Sequence, residues 1–294
     1  PLNSDNHPRD AVAANAGPIT HRADTPYRTT MYIKRILLAG LLIYLGLFAF
    51  IFISHRSLIY HPNLTQNNFN DCPAFDDAEK INTNGTRAYY RHASDKIVVV
   101  YHGNAGSACD RSHLKGIFED NGFSYLFVEY AGYGGDDRRP SRELLLKDAE
   151  SIVSFLKSRN YTQTLLVGES IGSGVASHHA TLMPVDGMLF IAPFDSLVNV
   201  AKSRFPFFPI FLIALFSGEN YDNVALLQNH AGSLSIIHGT KDNIIPLKRG
   251  KALFENTTIS NKEFITIDGA GHNDIYNFEK TWRSISDFLQ APIQ

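Results

Sequence analysis

Between Lys96 and Gly269 the chain repeats one pattern: a short, almost wholly apolar run, a turn, then a longer stretch with one apolar and one polar side. The runs are "KIVVVYHG" (96–103), "SYLFVEY" (124–130), "TLLVGES" (164–170), "GMLFIAP" (187–193), "SLSIIHG" (233–239) and "EFITIDG" (263–269). Their apolar residues are consecutive rather than alternating, as expected of strands buried on both faces. The clearest helix between them is Ser141–Arg159. Leu144, Leu145, Ala149, Ile152, Val153, Phe155 and Leu156 line one side; Asp148, Glu150, Lys157 and Arg159 line the other, with Pro140 where a first turn tolerates it. Strands of this kind alternating with helices predict a mostly parallel sheet covered on both faces. "RSLIYHP" (56–62) and "TRAYYRH" (86–92) precede the first such unit and are expected to form an antiparallel edge. The length of 294 residues accommodates one such domain, over 56–294.

Ahead of it, Ile36 to Ile53 reads "ILLAGLLIYLGLFAFIFI", uncharged and with Tyr44 its sole hydrogen-bonding side chain. As a helix it reaches about 27 Å, near the roughly 30 Å of a bilayer's hydrocarbon core. It has no polar face, so a membrane span over 31–55 is expected. Lys34 and Arg35, with Arg28 and Arg22 further back, precede it; Arg56 beside His55 follows. The positive-inside rule then puts the N-terminus in the cytoplasm and the large domain on the opposite side. A cleaved signal peptide is the competing reading, with "MYIKR" as its charged start, but no A-x-A-like site follows and the run is long for a signal core. An uncleaved signal anchor is preferred. Residues 1–30 are polar, without periodicity, and are expected to be unstructured; Met31 is then a natural start of translation. Asn63, Asn84, Asn160 and Asn256 open N-x-[ST] sequons, of little weight alone.

The net charge of −2 leaves no basic footprint for nucleic acid. The two cysteines, Cys72 and Cys109, lack metal-site spacing, and their spacing alone does not decide whether they pair. No H-E-x-x-H is present, and the adjacent His178 and His179 face different sides of any helix. Neither metal nor cofactor is expected.

In open α/β sheets, ligand sites lie beyond the carboxyl ends of the strands, and four such ends carry unusual residues. "VGESIGSG" (167–174) places Ser170 in a G-x-S-x-G pattern between a strand and a helix-like stretch, the context of a nucleophile elbow. A glycine-rich turn closing a βα unit is the plainer reading. "HGNAG" (102–106) offers a small loop whose Asn104 N–H, with that of Ile171, would bind an oxyanion; a phosphate loop is the rival, though no G-x-G-x-x-G or Walker pattern exists. "IIHGTKDNIIP" places Asp242, and "IDGAGHND" places His272, past two later strands. Ser170, Asp242, His272 is the chain order of an α/β-hydrolase triad. Asp195 in "APFDSL" competes with Asp242 as the acid; Asp274 lies too near His272 in sequence to orient it.

With these pieces in view, the chain resembles the α/β-hydrolase superfamily, and more narrowly its membrane-anchored serine hydrolases of the bud-emergence (BEM) type. "LIYHPN", "YHGNAG", "EYAGYGG", "GESIGSG", "APFDSL", "HGTKDNIIP" and "GAGHNDI" carry the likeness from Leu58 onward. It departs at Glu129, where Asp is usual, and at Asp195, where a hydroxyl residue is common. The resemblance implies the α/β-hydrolase fold, a triad of Ser170, Asp242 and His272, oxyanion donors at Asn104 and Ile171, and hydrolysis of ester or thioester bonds, of lipid-like substrates among others, through an acyl-enzyme. An aminopeptidase and a non-catalytic interaction module are the alternatives. "FPFFPIFLIALF" (205–216) is too short to span a bilayer and reads either as a helix packed on the core or as a lid walling an acyl site.

Overall fold

The computed structural model of the protein describes residues 26–62 and 67–292. The chain divides into two units at Phe50–Ile51. Helix α1 runs from Pro26 to Ile59, opening inside the stretch read as unstructured; residues 1–25 and the Asn63 sequon lie outside the described residues. An 18-residue window within Thr30–Ile59 has a mean hydropathy of 2.8, and among the described residues it is the one helix long and apolar enough to cross a membrane.

In the second unit an eight-stranded sheet has the order β1-β2-β4-β3-β5-β6-β7-β8. Strands β1 (Glu79–Thr83) and β2 (Thr86–Arg91) form a hairpin, and β2 also runs antiparallel to β4 (Ser124–Glu129). The turn between β1 and β2 is Asn84-Gly85, both at positive φ (51° and 83°), the pairing a tight two-residue hairpin demands. Strands β3 (Lys96–Tyr101), β5 (Gln163–Glu169), β6 (Gly187–Ile191), β7 (Ser233–Gly239) and β8 (Lys262–Ile267) continue from β4 in parallel. All six expected strands are present within one or two residues of the expected bounds.

Side-chain alternation sorts the core into two layers. Ile97, Val99 and Tyr101 of β3 face one cluster with Leu145, Ile152 and Val175; Val98 and Val100 face the other with Phe118, Ile285 and Phe288. Helices α3 (Arg142–Lys157), α4 (Gly172–Leu182) and α8 (Leu247–Asn256) supply the first layer. Helices α2 (Lys115–Asp120) and α9 (Glu279–Gln290) supply the second. Between β6 and β7 the chain forms α5 (Leu197–Arg204), α6 (Ile210–Ser217) and α7 (Asn223–Leu226).

Three expectations need correcting. Segment 56–62 is not an edge strand: its first residues finish α1, and only His61 bridges, to Ala105. Pro140 precedes α3 rather than opening it, because Ser141 takes the N-cap, its side chain accepting from Leu144 N. Asp148 is buried, not on a polar face. It accepts from Thr86 Oγ1 (2.7 Å) and Ala131 N (2.8 Å), which ties α3 to the hairpin and to the turn after β4. Cys72 and Cys109 form a disulfide, both buried.

Candidate active site

Ser170 follows β5 at φ 52°, a left-handed conformation that β-carbon sterics make costly for any residue but glycine. It is 5% exposed. The turn is enforced from both sides. Its N–H donates to Ile191 O (2.9 Å), and its carbonyl accepts from Ser173 N (3.0 Å) and Ser173 Oγ (2.6 Å). The flanking glycines are sterically required. A β-carbon at Gly172 would lie 2.1 Å from Tyr101 O, and one at Gly168 would lie 2.8 Å from Ser173 Cα. Helix α4 begins directly behind, so its first N–H groups lie beside the serine.

The turn after β3 lies against this elbow: a β-carbon on Gly103 would come within 3.6 Å of Ser170 Cβ. Asn104, Ser170 and Ile171 line one cavity of about 240 Å³. Its other walls are chiefly apolar, including Ile51, Leu58 and Ile59 from the end of α1, Phe194, Leu197 and Val200 around α5, and Ile210 and Ile213 of α6.

At the far strand ends Asp242 and His272 meet. His272 Nδ1 lies 2.7 Å from Asp242 Oδ2. The loops that carry them are packed backbone to backbone, with Lys241 N donating to Ala270 O (2.8 Å) and no room for a side chain at Gly239. Asp242 Oδ1 accepts from Ile244 N (2.9 Å) and Ile245 N (2.8 Å). Burial raises the pKa of Asp242, but hydrogen bonds with His238 and His272, the His272 charge and the Ile245 N–H outweigh it and hold the carboxyl well below the ordinary range. The competing acids are committed elsewhere. Asp195 accepts from Asn199 Nδ2 (2.7 Å) and pairs with Arg249 (3.2 Å), and Asp274 accepts from Gly271 N (2.6 Å). Among the described residues Ser170 Oγ makes no hydrogen bond to His272, whose own recorded bond is to Asp242; such contacts are often long in enzymes without substrate.

Two groups escaped the reading of the sequence. His238, fully buried on β7, sets Nε2 at 2.9 Å from Ile245 O and 3.5 Å from Asp242 Oδ2. Glu169, next to the serine, forms a two-pronged ion pair with Arg111, one prong Nε to Oε2 at 3.0 Å, and accepts from Tyr276 OH (3.0 Å). Burial works against its charge, yet Arg111 holds the carboxyl at about 2. The His272 charge adds to that effect.

Residues 92–216 match the family model described as serine aminopeptidase, S33. An uncharacterised protein of Mycobacterium tuberculosis is 28% identical over 240 residues, covering 78% of this chain and 84% of that one. The lysophosphatidylserine lipase ABHD12 of Danio rerio is 26% identical over 231 residues, covering 68% of this chain but 59% of the relative. Among solved structures, an esterase of Pyrococcus furiosus superposes with a TM-score of 0.59 at 17% identity, over 72% of this chain and 89% of that one. Sheet order, serine turn and structural likeness agree, and the chain has the α/β-hydrolase fold.

Proposed function

We propose that the protein is a membrane-anchored serine hydrolase of carboxylic ester or thioester bonds, working through an acyl-enzyme. In this reading Ser170 Oγ attacks the acyl carbon while His272 Nε2 takes its proton. Asp242 fixes the tautomer from Nδ1, and the N–H groups of Asn104 and Ile171 bind the oxyanion. His272 then protonates the leaving group, and water releases the acid by the same route. The observation that carries it is the serine at φ 52° on a strand end, walled with Asn104 in one cavity, together with a hydrogen-bonded imidazole–carboxylate pair beyond strands β7 and β8 of the same sheet. The cavity's apolar walls favour an acyl chain. A lipase among the relatives and an esterase among the structural neighbours agree with that substrate class, and the narrower likeness to bud-emergence type hydrolases belongs to the same reading.

The family model's description raises an aminopeptidase as second reading. A peptide's free amine needs a carboxylate to receive it. Glu219, the one acidic residue among those lining the cavity, is already held by Arg56 (3.0 Å) and Tyr60 OH (2.5 Å), which favours the ester. For the anchor, α1 supplies the length, Lys34 and Arg35 against Arg56 supply the orientation, and the Cys72–Cys109 bridge supports an oxidising compartment for the large domain. Exposed Asn84, Asn160 and Asn256 would then be open to glycosylation in a eukaryotic host.

The test is labelling with a fluorophosphonate probe. Wild type is expected to label and Ser170→Ala not to; equal labelling of both would refute the assignment. A panel of p-nitrophenyl esters, acyl thioesters and amino-acid amides then ranks the bond types.

A further inference from the structure

A backbone N–H serves as an oxyanion donor only while its peptide plane faces the serine, and the plane before Asn104 hangs on Gly103, which has no side chain to fix it. The groups that hold Asn104 come from the end of α1. Helix α1 stops at Ile59, so the Ile59 carbonyl has no helical partner. Asn104 Nδ2 donates to it at 2.8 Å. On the other side of the same residue, Asn104 O accepts from His61 N (3.0 Å) and Tyr133 OH (3.0 Å), and His61 bridges Ala105. Residues 59–61 thus grip Asn104 by its side chain and by its carbonyl.

The gripping segment is itself pinned. Buried Glu219 takes Tyr60 OH at 2.5 Å, Arg56 Nε at 3.0 Å and Arg142 N at 2.8 Å, and Tyr60 OH also meets Tyr221 OH at 3.1 Å. One turn earlier, Ile51, His55 and Leu58 face the cavity that holds Ser170.

We propose that residues 51–61 are a working part of the active site rather than a tether: they wall the acyl cavity and, through Ile59 O and His61 N, position the Asn104 N–H for the oxyanion. Asn104's side chain and His61 are positioning groups in this scheme, which rests on the reading of Asn104 as an oxyanion donor. A shift of residues 59–61 moves that donor directly, so the setting of this segment bears on turnover.

The experiment uses the full chain in detergent micelles with p-nitrophenyl octanoate. Asn104→Asp keeps the main-chain N–H and the side-chain shape but turns an acceptor toward Ile59 O. It is expected to lower kcat about 10- to 100-fold with KM within about twofold, the signature of a misplaced transition-state donor. His61→Pro removes the second grip and is expected to do the same, while His61→Ala, which restores the N–H, recovers the rate. If His61→Pro does not fold, Asn104→Asp carries the test alone. A kcat for Asn104→Asp within threefold of wild type, with Ser170→Ala inactive, overturns the inference, as does equal loss in His61→Ala and His61→Pro. Turnover surviving in Ser170→Ala instead overturns the reading beneath it.

Discussion

Glu169 sits one residue before the serine, mostly buried and ionised because Arg111 clasps it from a 3₁₀ turn 58 residues upstream in the chain. Removing one member of such a pair leaves the other's charge buried and unmatched, which costs far more than the pair contributes. Glu169→Gln is therefore expected to lower unfolding stability by about 3 kcal/mol in chemical denaturation. The double variant Glu169→Met, Arg111→Met should recover most of it. In the proposed mechanism Asp242→Asn should reduce kcat by about 10⁴, since the imidazole loses the partner that sets its tautomer; esterase assays on the purified chain measure it. The strand-end turns that carry Ser170, Asp242 and His272 were legible because glycines beyond an apolar strand mark such turns locally. Arg111, Tyr276 and His238 were not: each matters through a partner brought near by the fold, and no local pattern marks them. Asp148 was misread for the same reason, because helical periodicity cannot foresee that Thr86 and the turn at Ala131 will cover it.

Among the elements, the parallel strands and α3 followed from the sequence pattern because burial on both faces leaves little freedom of assignment. The stretch after Arg56 did not, since α1 runs past its apolar stretch, where tertiary contacts such as Arg56–Glu219 hold its last turn. Helix α6 (Ile210–Ser217) has features of both readings of 205–216. Ile210 and Ile213 are buried and line the cavity, while Phe211, Leu215 and Phe216 are exposed. An acyl chain extending along Ile213 should gain contact with each added methylene, by about 0.8 kcal/mol where fully buried. Octanoyl esters are accordingly expected to exceed acetyl esters in kcat/KM by at least tenfold, and Ile213→Trp to move the optimum toward shorter chains. A flat profile across p-nitrophenyl esters would contradict the acyl-wall role.

At the scale of the whole molecule, two features set how stability responds to its surroundings. The Cys72–Cys109 bridge spans 37 residues of sequence and ties the turn that carries Arg111 to the segment before β1. In the chain-entropy view a loop of that length stabilises by about 3–4 kcal/mol, so Cys72→Ala with Cys109→Ala should lower the denaturation midpoint accordingly. Asp148 acts through pH. Burial raises its carboxyl from 3.8 to about 6, only partly offset by the Ala131 N–H and Thr86 hydroxyl. Its folded pKa lies above its unfolded one, so its contribution is complete below about pH 4 and is lost as pH rises through 6. Between those limits Asp148→Asn should show a flatter dependence of the thermal midpoint on pH than wild type.

The cavity begins where the apolar helix ends, with Ile51 and Leu58 already on its wall. With α1 embedded as proposed, residues 51–58 follow directly on the span by chain continuity, so an ester substrate that partitions into the membrane is concentrated close to the segment that lines the cavity. Turnover should then follow the mole fraction of substrate in the micelle or bilayer and stay constant when substrate and detergent are diluted together: kinetics confined to two dimensions.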